Sequence, residues 1–251
     1  MPLASLLANL RWKTVAGLSR RNTSLPESGP IVSFTFDDFP RTALQIGGAI
    51  LKNYGARGTY YAAMGLMDTV TAVGQQFGPA DLDFLLDEGH ELGSHTFGHL
   101  SCRSAVLREF KADVTKGKDS VTALTGIRAP HNFAYPFGHV TLRAKGTVGS
   151  SVTTCRGILP GINYNSIDLN LLKANRLYSH LLDFETIDRL LDTNDRLGGW
   201  LIFYTHDVSD TPSRYGCKTH DFERVVERVA KRRCRILKVA DVVIAMDLSV
   251  A

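Results

Sequence analysis

The sequence predicts a single α/β domain in which seven or eight strand–helix units close into a barrel. Three observations carry this. Apolar, strand-like runs alternate with amphipathic helical stretches from residue 31 onward, the signature of a parallel sheet with crossover helices. No internal repeat, low-complexity tract or linker divides the chain. Its 251 residues are a length that α/β barrels commonly reach as one domain.

The elements follow in order. Residues 1–30 are an N-terminal amphipathic segment and loop, and 31–251 form the domain. Leu3, Leu6, Leu7 and Leu10 recur at helical spacing, with Val15 and Leu18 beyond, which reads as a docking helix or as a basic helix resting on a membrane surface. Asn22 to Pro30 is rich in turn formers. Ile31–Phe36 reads as a buried strand and Pro40–Asn53 as a helix with proline in its first turn. Gly58–Ala62 is a short strand, Pro79–Glu88 a helix, Glu91–Ser94 a strand and Ser104–Thr125 a long amphipathic helix. Phe133–Tyr135, Gly149–Thr153 and Leu171–Leu177 are expected strands. Phe184–Asn194 is helical, Gly199–Thr205 an apolar strand, Phe222–Lys231 helical and Arg235–Val239 a closing strand.

Composition narrows the function classes. Hydrophobic residues make up 44% and charged residues 22%, an ordinary soluble globular composition. The net charge of +4 is not gathered into any run of five or six Lys/Arg, which argues against nucleic acid as a partner while tolerating an anionic glycan. Cys102, Cys155, Cys217 and Cys234 are scattered, with neither a zinc ribbon nor a thioredoxin motif, and are expected as buried thiols of a reducing compartment. No run approaches the ~18 apolar residues of a membrane span. Arg11 and Lys13 interrupt the first apolar segment, and no basic region leads it. A cleaved signal peptide is therefore not expected, and the cytoplasm is the expected location.

Four polar clusters follow predicted strands, which in a parallel barrel gathers them on one face. Asp37-Asp38 closes the first strand; successive carboxylates on extended chain point in different directions, so one can bind a metal while the other faces a nucleophile. By itself such a pair is usually a turn or a helix cap. His95 and His99, four residues apart, can reach one ion from the same side of a helical turn, or be unrelated polar residues. Two imidazoles and a carboxylate would leave coordination positions open, the design of a catalytic site. Tyr135-Pro136-Phe137-Gly138 is a rigid turn able to present a backbone N–H to an oxyanion. His206 ends an apolar strand and is either a hydrogen-bonded structural residue or a general acid.

The series Thr35-Phe36-Asp37-Asp38, His95-x-x-x-His99, Tyr135-Pro136-Phe137-Gly138 and Tyr204-Thr205-His206 resembles the polysaccharide deacetylases with a NodB-homology domain, carbohydrate esterase family 4. The resemblance covers roughly Ile31 to Val243. It implies a distorted (β/α)7-8 barrel, a single NodB-like domain, and hydrolysis of N-acetyl groups on N-acetylglucosamine-type residues. It further implies Asp37 as catalytic base, His206 as general acid and Asp38, His95 and His99 as ligands of one divalent metal. Zn2+ is favoured, with Co2+, Ni2+ or Fe2+ as alternatives. Tyr135, Pro136 and Phe137 would line the substrate and oxyanion site, the Phe137 N–H as donor.

Two departures stand out. The family's third motif usually begins with an arginine that orients the base, and that position here is Ala134. Arg156 is the expected replacement, ahead of Arg128 and Arg176. The family's fourth motif, an Asp and Trp beside the site, has no clear counterpart; Trp200 begins its strand and is expected in the core. These departures resemble the branch acting on bacterial exopolysaccharides and adhesins. Tyr135 and Phe97 are further candidates to stack on sugar, or to pack in the core. The rival readings are an amidase or deformylase acting on a small-molecule, nucleotide-sugar or lipid-linked sugar substrate, an inactive glycan-binding domain, and a non-haem iron oxygenase. Oligomeric state is not readable.

Overall fold

Strand β1, Ile31–Asp38, runs through the middle of the molecule and is buried along its whole length. Its alternation decides the architecture. Val32, Phe34 and Phe36 face outward into a cluster with surrounding helices, whereas Ile31 joins a second cluster inside the barrel. Because both faces are covered, the strand is apolar almost throughout, as buried parallel strands are. The computed structural model describes residues 14–25, 29–126 and 131–247. Leu3, Leu6, Leu7 and Leu10 of the expected N-terminal helix, and Arg128, lie outside the described residues.

The sheet holds seven further strands: β2 Thr59–Ala62, β3 Glu91–Ser94, β4 Asn132–Ala134, β5 Thr154–Arg156, β6 Asn175–Arg176, β7 Trp200–Thr205 and β8 Arg235–Ile236. Their order is β6-β7-β1-β2-β3-β4-β5, with β8 beside the start of β1, and every pairing is parallel. The stretch around β6 brings the two edges together. The Leu172 N–H donates to Cys155 O at 2.8 Å on the β5 side, and Arg176 stands in register with Tyr204 on the β7 side. Around or beneath this barrel lie α1 (π-helical Ala43–Gly48 continuing as Ala49–Asn53), α2 Pro79–Asp87, α3 Leu107–Thr125, α4 Leu142–Gly149, α5 Phe184–Leu197, α6 Thr219–Ala230 and α7 Val239–Ala245. No helix among the described residues is long and apolar enough to cross a membrane.

Three sequence expectations require correction. Residues 149–153 are not a strand. Leu142–Gly149 is helix α4, capped by the Thr141 side chain accepting from Ala144 N–H, and the strand begins only at Thr154. The run 142–153 mixes glycine and serine with isolated apolar residues, so neither period was legible in it. Leu171–Leu177 shrinks to the two residues of β6, because side chains stand in for a ladder: Asn163 bonds both backbone groups of Lys173, and Asn175 donates to Gly161 O. The closing strand stops at Ile236, and Val239 starts α7, whose Val239, Val242 and Val243 fill the barrel floor against Trp200.

The floor is tied by a buried polar chain across four strands. Thr59 donates to Glu91 at 2.7 Å, Asn132 donates to the other Glu91 oxygen, and Thr154 donates to Asn132 at 2.7 Å. Glu91 also accepts the Ala240 N–H in the first turn of α7 at 2.8 Å, so each buried polar atom is answered by another. The described part of the N-terminal segment is docked on the barrel. Val15 is buried, Asn22–Thr23 pairs with Ile167–Asp168, and the Lys145 ammonium donates to Val15 O and Leu18 O while meeting Asp168 at 2.7 Å. All four cysteines are unpaired.

Gly117 of α3 sets how closely the loop after β3 can approach. A Cβ there would lie 2.6 Å from Thr96 C and 2.7 Å from Thr96 O, both backbone atoms that cannot swing aside. Alanine would improve helix propensity by ~1 kcal/mol, but overpacking against fixed backbone costs ~1–3 kcal/mol. Gly117→Ala is expected to lower unfolding free energy by up to about 2 kcal/mol in denaturant titration; a stabilised variant would show that the loop yields.

Candidate active site

One interior layer of the barrel carries the site. Register places Tyr204 beside Thr35, Tyr61 beside Asp37 and Gly93, and Ala134 beside Arg156. Gly93 and Ala134 leave the space that Tyr61 and Arg156 occupy; a Cβ on Gly93 would meet the Tyr61 ring at 2.6 Å. Arg156 thereby crosses the interior from β5 to β1. It is fully buried, its Nη2 donates to Asp37 Oδ1 in a short contact, and its Nη1 donates to Gly157 O at 3.0 Å. Its guanidinium lies 5.2 Å from the Tyr61 ring and 5.1 Å from the Tyr204 ring, within cation–π range of both. Burial opposes the charge on Arg156, but Asp37, Tyr61 and Tyr204 outweigh it and raise its pKa. Arg156 is thus the cation that meets Asp37; Arg176 is not.

Asp38 is the last residue of β1. Its φ of 63° turns its carboxylate back toward the barrel mouth. Asp38 Oδ1 lies 3.4 Å from His95 Nε2 and 3.0 Å from His99 Nε2. The expectation that the two histidines share a helical turn is wrong. Residues 95–99 are non-helical, and Thr96 (φ 62°) and His99 (φ 55°) fold the loop back so that the rings meet with centroids 5.0 Å apart. A β-branched residue rarely adopts this backbone, and such strain persists only where surroundings enforce it. Asp113 of α3 enforces it by accepting the N–H groups of Phe97 and Gly98 between the histidines.

The donor set fits a metal ion. His95 Nδ1 donates to Ala134 O at 2.8 Å, which leaves its Nε2 lone pair aimed at Asp38. Asp38 Oδ1 is buried and finds no hydrogen bond of acceptable geometry. The His95 lone pair and the Asp38 oxygen repel each other unless a cation stands between them, and His99 Nε2 converges on the same oxygen at 3.0 Å. Asp38, His95 and His99 form the one such group found among the described residues, with ligand atoms within 4.8 Å of one another. Burial alone would raise the Asp38 carboxyl; the His99 contact and the fields of His95, His99 and His206 outweigh it and hold it well below the ordinary carboxylate range. Burial pushes His95 down to about 4, so it stays neutral, as a ligand must.

That depression makes a stability prediction. Burial also pushes His90 down to about 4, and its Nδ1 accepts the Gly58 N–H at 3.0 Å, a bond that protonation would break. Both histidines bind protons more readily when unfolded, near the ordinary 6.5. Stability is therefore full above pH 6.5 and lost as pH falls toward 4. The melting temperature of the metal-free protein is expected to fall steeply through that window; a flat profile would show that neither ring is held neutral.

The cavity over these groups has a volume of about 540 Å³ and is lined by both aspartates, the three histidines at 95, 99 and 206, and Phe137. His206 Nδ1 donates to Tyr215 O at 3.2 Å, leaving Nε2 to exchange a proton with a bound molecule. Phe137 has φ 59°, is half exposed, and packs on the His99 ring at 4.4 Å. Tyr135 and Pro136 do not reach the cavity. The Tyr135 ring packs on Phe133 in the core and its hydroxyl donates to Asn170 O at 3.3 Å. Phe97 packs against Gly65 beneath the Lys116 ammonium rather than at the mouth. Trp200 is buried at the barrel floor and donates to Ser33. Tyr178, Tyr204, Tyr215 and Arg176 complete the wall; sequence reasoning named Tyr204 only within a motif and Arg176 only as a partner for Asp37, and it missed Tyr178 and Tyr215, of which Tyr178 alone had a signal as the residue after a predicted strand.

Residues 25–149 match the family described as polysaccharide deacetylase. The chain belongs to that family. The deacetylase is thus a hydrolase, and its curled parallel sheet is the fold the resemblance implied. No curated protein matches it. Among solved structures, it resembles a family 4 acetyl xylan esterase of Clostridium thermocellum in complex with a cobalt ion (TM-score 0.59, 15% identity, 88% of this chain and 93% of that one). It also resembles the peptidoglycan deacetylase PdaC of Bacillus subtilis (0.55, 16%, 89% and 94%) and PdaA of the same organism (0.56, 11%, 93% and 88%). At such identities the likeness is one of fold.

Proposed function

We propose that this deacetylase is metal-dependent and removes N-acetyl groups from N-acetylglucosamine-type residues of a bacterial exopolysaccharide. The observation that carries the reading is the adjacency of a buried, arginine-paired carboxylate, Asp37, to the convergent Asp38, His95 and His99. Zn2+ is the ion we assign, since two imidazoles and one carboxylate suit it and leave positions open. Bound there, it would supply Lewis-acid activation of water and of the acetyl carbonyl.

Every other function falls to the chain itself. Asp37, fixed by Arg156, takes the proton from the attacking water. The Phe137 N–H, at the cavity wall, donates to the oxyanion that develops on the acetyl oxygen. His206, its Nδ1 held by Tyr215 O, gives a proton from Nε2 to the departing amine. The exopolysaccharide assignment rests on Ala134 in place of the usual arginine and on the lack of a clear counterpart to the family's Asp and Trp motif, departures that resemble that branch.

The test is acetate release from N-acetylglucosamine oligomers by Zn2+-loaded protein. Acetate that disappears on chelation and returns with Zn2+ is the expected result. A folded protein that binds no metal would overturn the mechanism; bound metal without acetate would overturn the assigned sugar.

A further inference from the structure

We infer that the substrate carries an anionic group, a carboxylate or a phosphate, close to the acetamido group it loses, and that Arg176 recognises it. The inference rests on the deacetylase reading above and adds the charge of its substrate.

Arg176 ends β6, in register with Tyr204, and lines the cavity with Tyr178, Tyr204 and Tyr215. Among the described residues no carboxylate lies within ion-pair range of it, and it makes no side-chain hydrogen bond. The only carboxylates lining the cavity are Asp37 and Asp38. Asp37 is committed to Arg156, and Asp38 faces His95 and His99. Two carboxylates thus stand against two guanidiniums, and the charge of a bound divalent ion has no counterpart in the protein. Arg176 is exposed, so solvent and salt screen its repulsion by a metal, but a cation in the wall of the same cavity still favours an anionic ligand over a neutral one. A planar guanidinium whose donors are unused matches a carboxylate or phosphate oxygen pair. The tyrosine rings beside it supply apolar faces for a sugar.

The carboxylate could belong to a neighbouring uronic acid and the phosphate to the sugar itself, so the test carries both. Binding is measured by calorimetry on the Zn2+-loaded Asp37→Asn protein, which separates recognition from turnover. The ligands are an N-acetylglucosamine–glucuronic acid disaccharide, its carboxyl-reduced neutral twin, N-acetylglucosamine 1-phosphate and free N-acetylglucosamine. One anionic ligand is expected to bind about tenfold more tightly than its neutral partner. Arg176→Gln should bring that ratio to about one and Arg176→Glu should invert it. Preference in the first pair assigns the carboxylate, and in the second the phosphate. Equal affinity in both pairs, or a preference that survives Arg176→Gln, would overturn the proposal. Anion preference without acetate release from any of these sugars by the native protein would leave Arg176 standing and reject the deacetylation reading instead.

Discussion

Replacing Asp37 by asparagine is expected to lower kcat about 10²–10⁴-fold, the usual contribution of a general base, while metal binding survives. The amide keeps the shape of the carboxylate and still offers Arg156 an acceptor. The metal group is built from other atoms: Asp38 Oδ1 and the Nε2 atoms of His95 and His99. Loss of turnover with one metal per chain, read by acetate release and elemental analysis on the same sample, is therefore the signature of a base. Asp38→Asn should behave in the opposite way and lose the metal first. An Asp37→Asn protein that kept more than a tenth of its kcat would assign the proton transfer elsewhere.

Asp37 and Asp38 were legible because they follow an unbroken apolar strand whose alternation separates adjacent carboxylates; the positive φ that turns Asp38 to the mouth was not. The histidine pair was legible as a pair, but its geometry was not. Spacing of four suggested a helical turn, whereas the rings converge because Thr96 and His99 adopt left-handed backbone held by Asp113. Nothing in the local sequence announces a carboxylate from the middle of α3. Strained backbone of this kind gathers at the site, with Asp38, Thr96, His99 and Phe137 all at positive φ.

The fold was read best where elements are long and periodic. Strand β3 falls where expected, and β1, β7 and α3 differ from expectation only at their ends. It was read worst between 142 and 177, where α4, β5 and β6 are short and side chains replace the ladder. The polar groups of Asn163, Asn170 and Asn175 bond backbone there, and such pairings have no period to detect. Tyr135 was misplaced for a related reason. Proline follows it and stops the strand, but the strand's alternation had already sent its ring outward to Phe133 and Cys155.

Arg156 yields the second large effect, and it tests how the chain does without an arginine at 134. Arg156→Met would leave Asp37 buried with no cation, a loss expected to cost ~3–5 kcal/mol of stability because the remaining charge is uncompensated. The surviving folded fraction should show a kcat reduced at least tenfold with KM little changed, since Arg156 positions the base and does not line the cavity. Ala134 and Arg156 are register partners on adjacent parallel strands, so their side chains leave the sheet on the same face. Neighbouring strands lie ~4.8 Å apart, well within the reach of an arginine side chain. The double variant Ala134→Arg with Arg156→Ala therefore returns a guanidinium to the same interior layer from the next strand. It is expected to recover most of the lost stability and at least a tenth of the native kcat. The His95 contact should be undisturbed, because it uses the carbonyl of residue 134 and not its side chain. A double variant no better than Arg156→Ala would show that Asp37 requires the approach from β5, with Tyr61 and Tyr204 on either side of the guanidinium, and not merely a positive charge within reach.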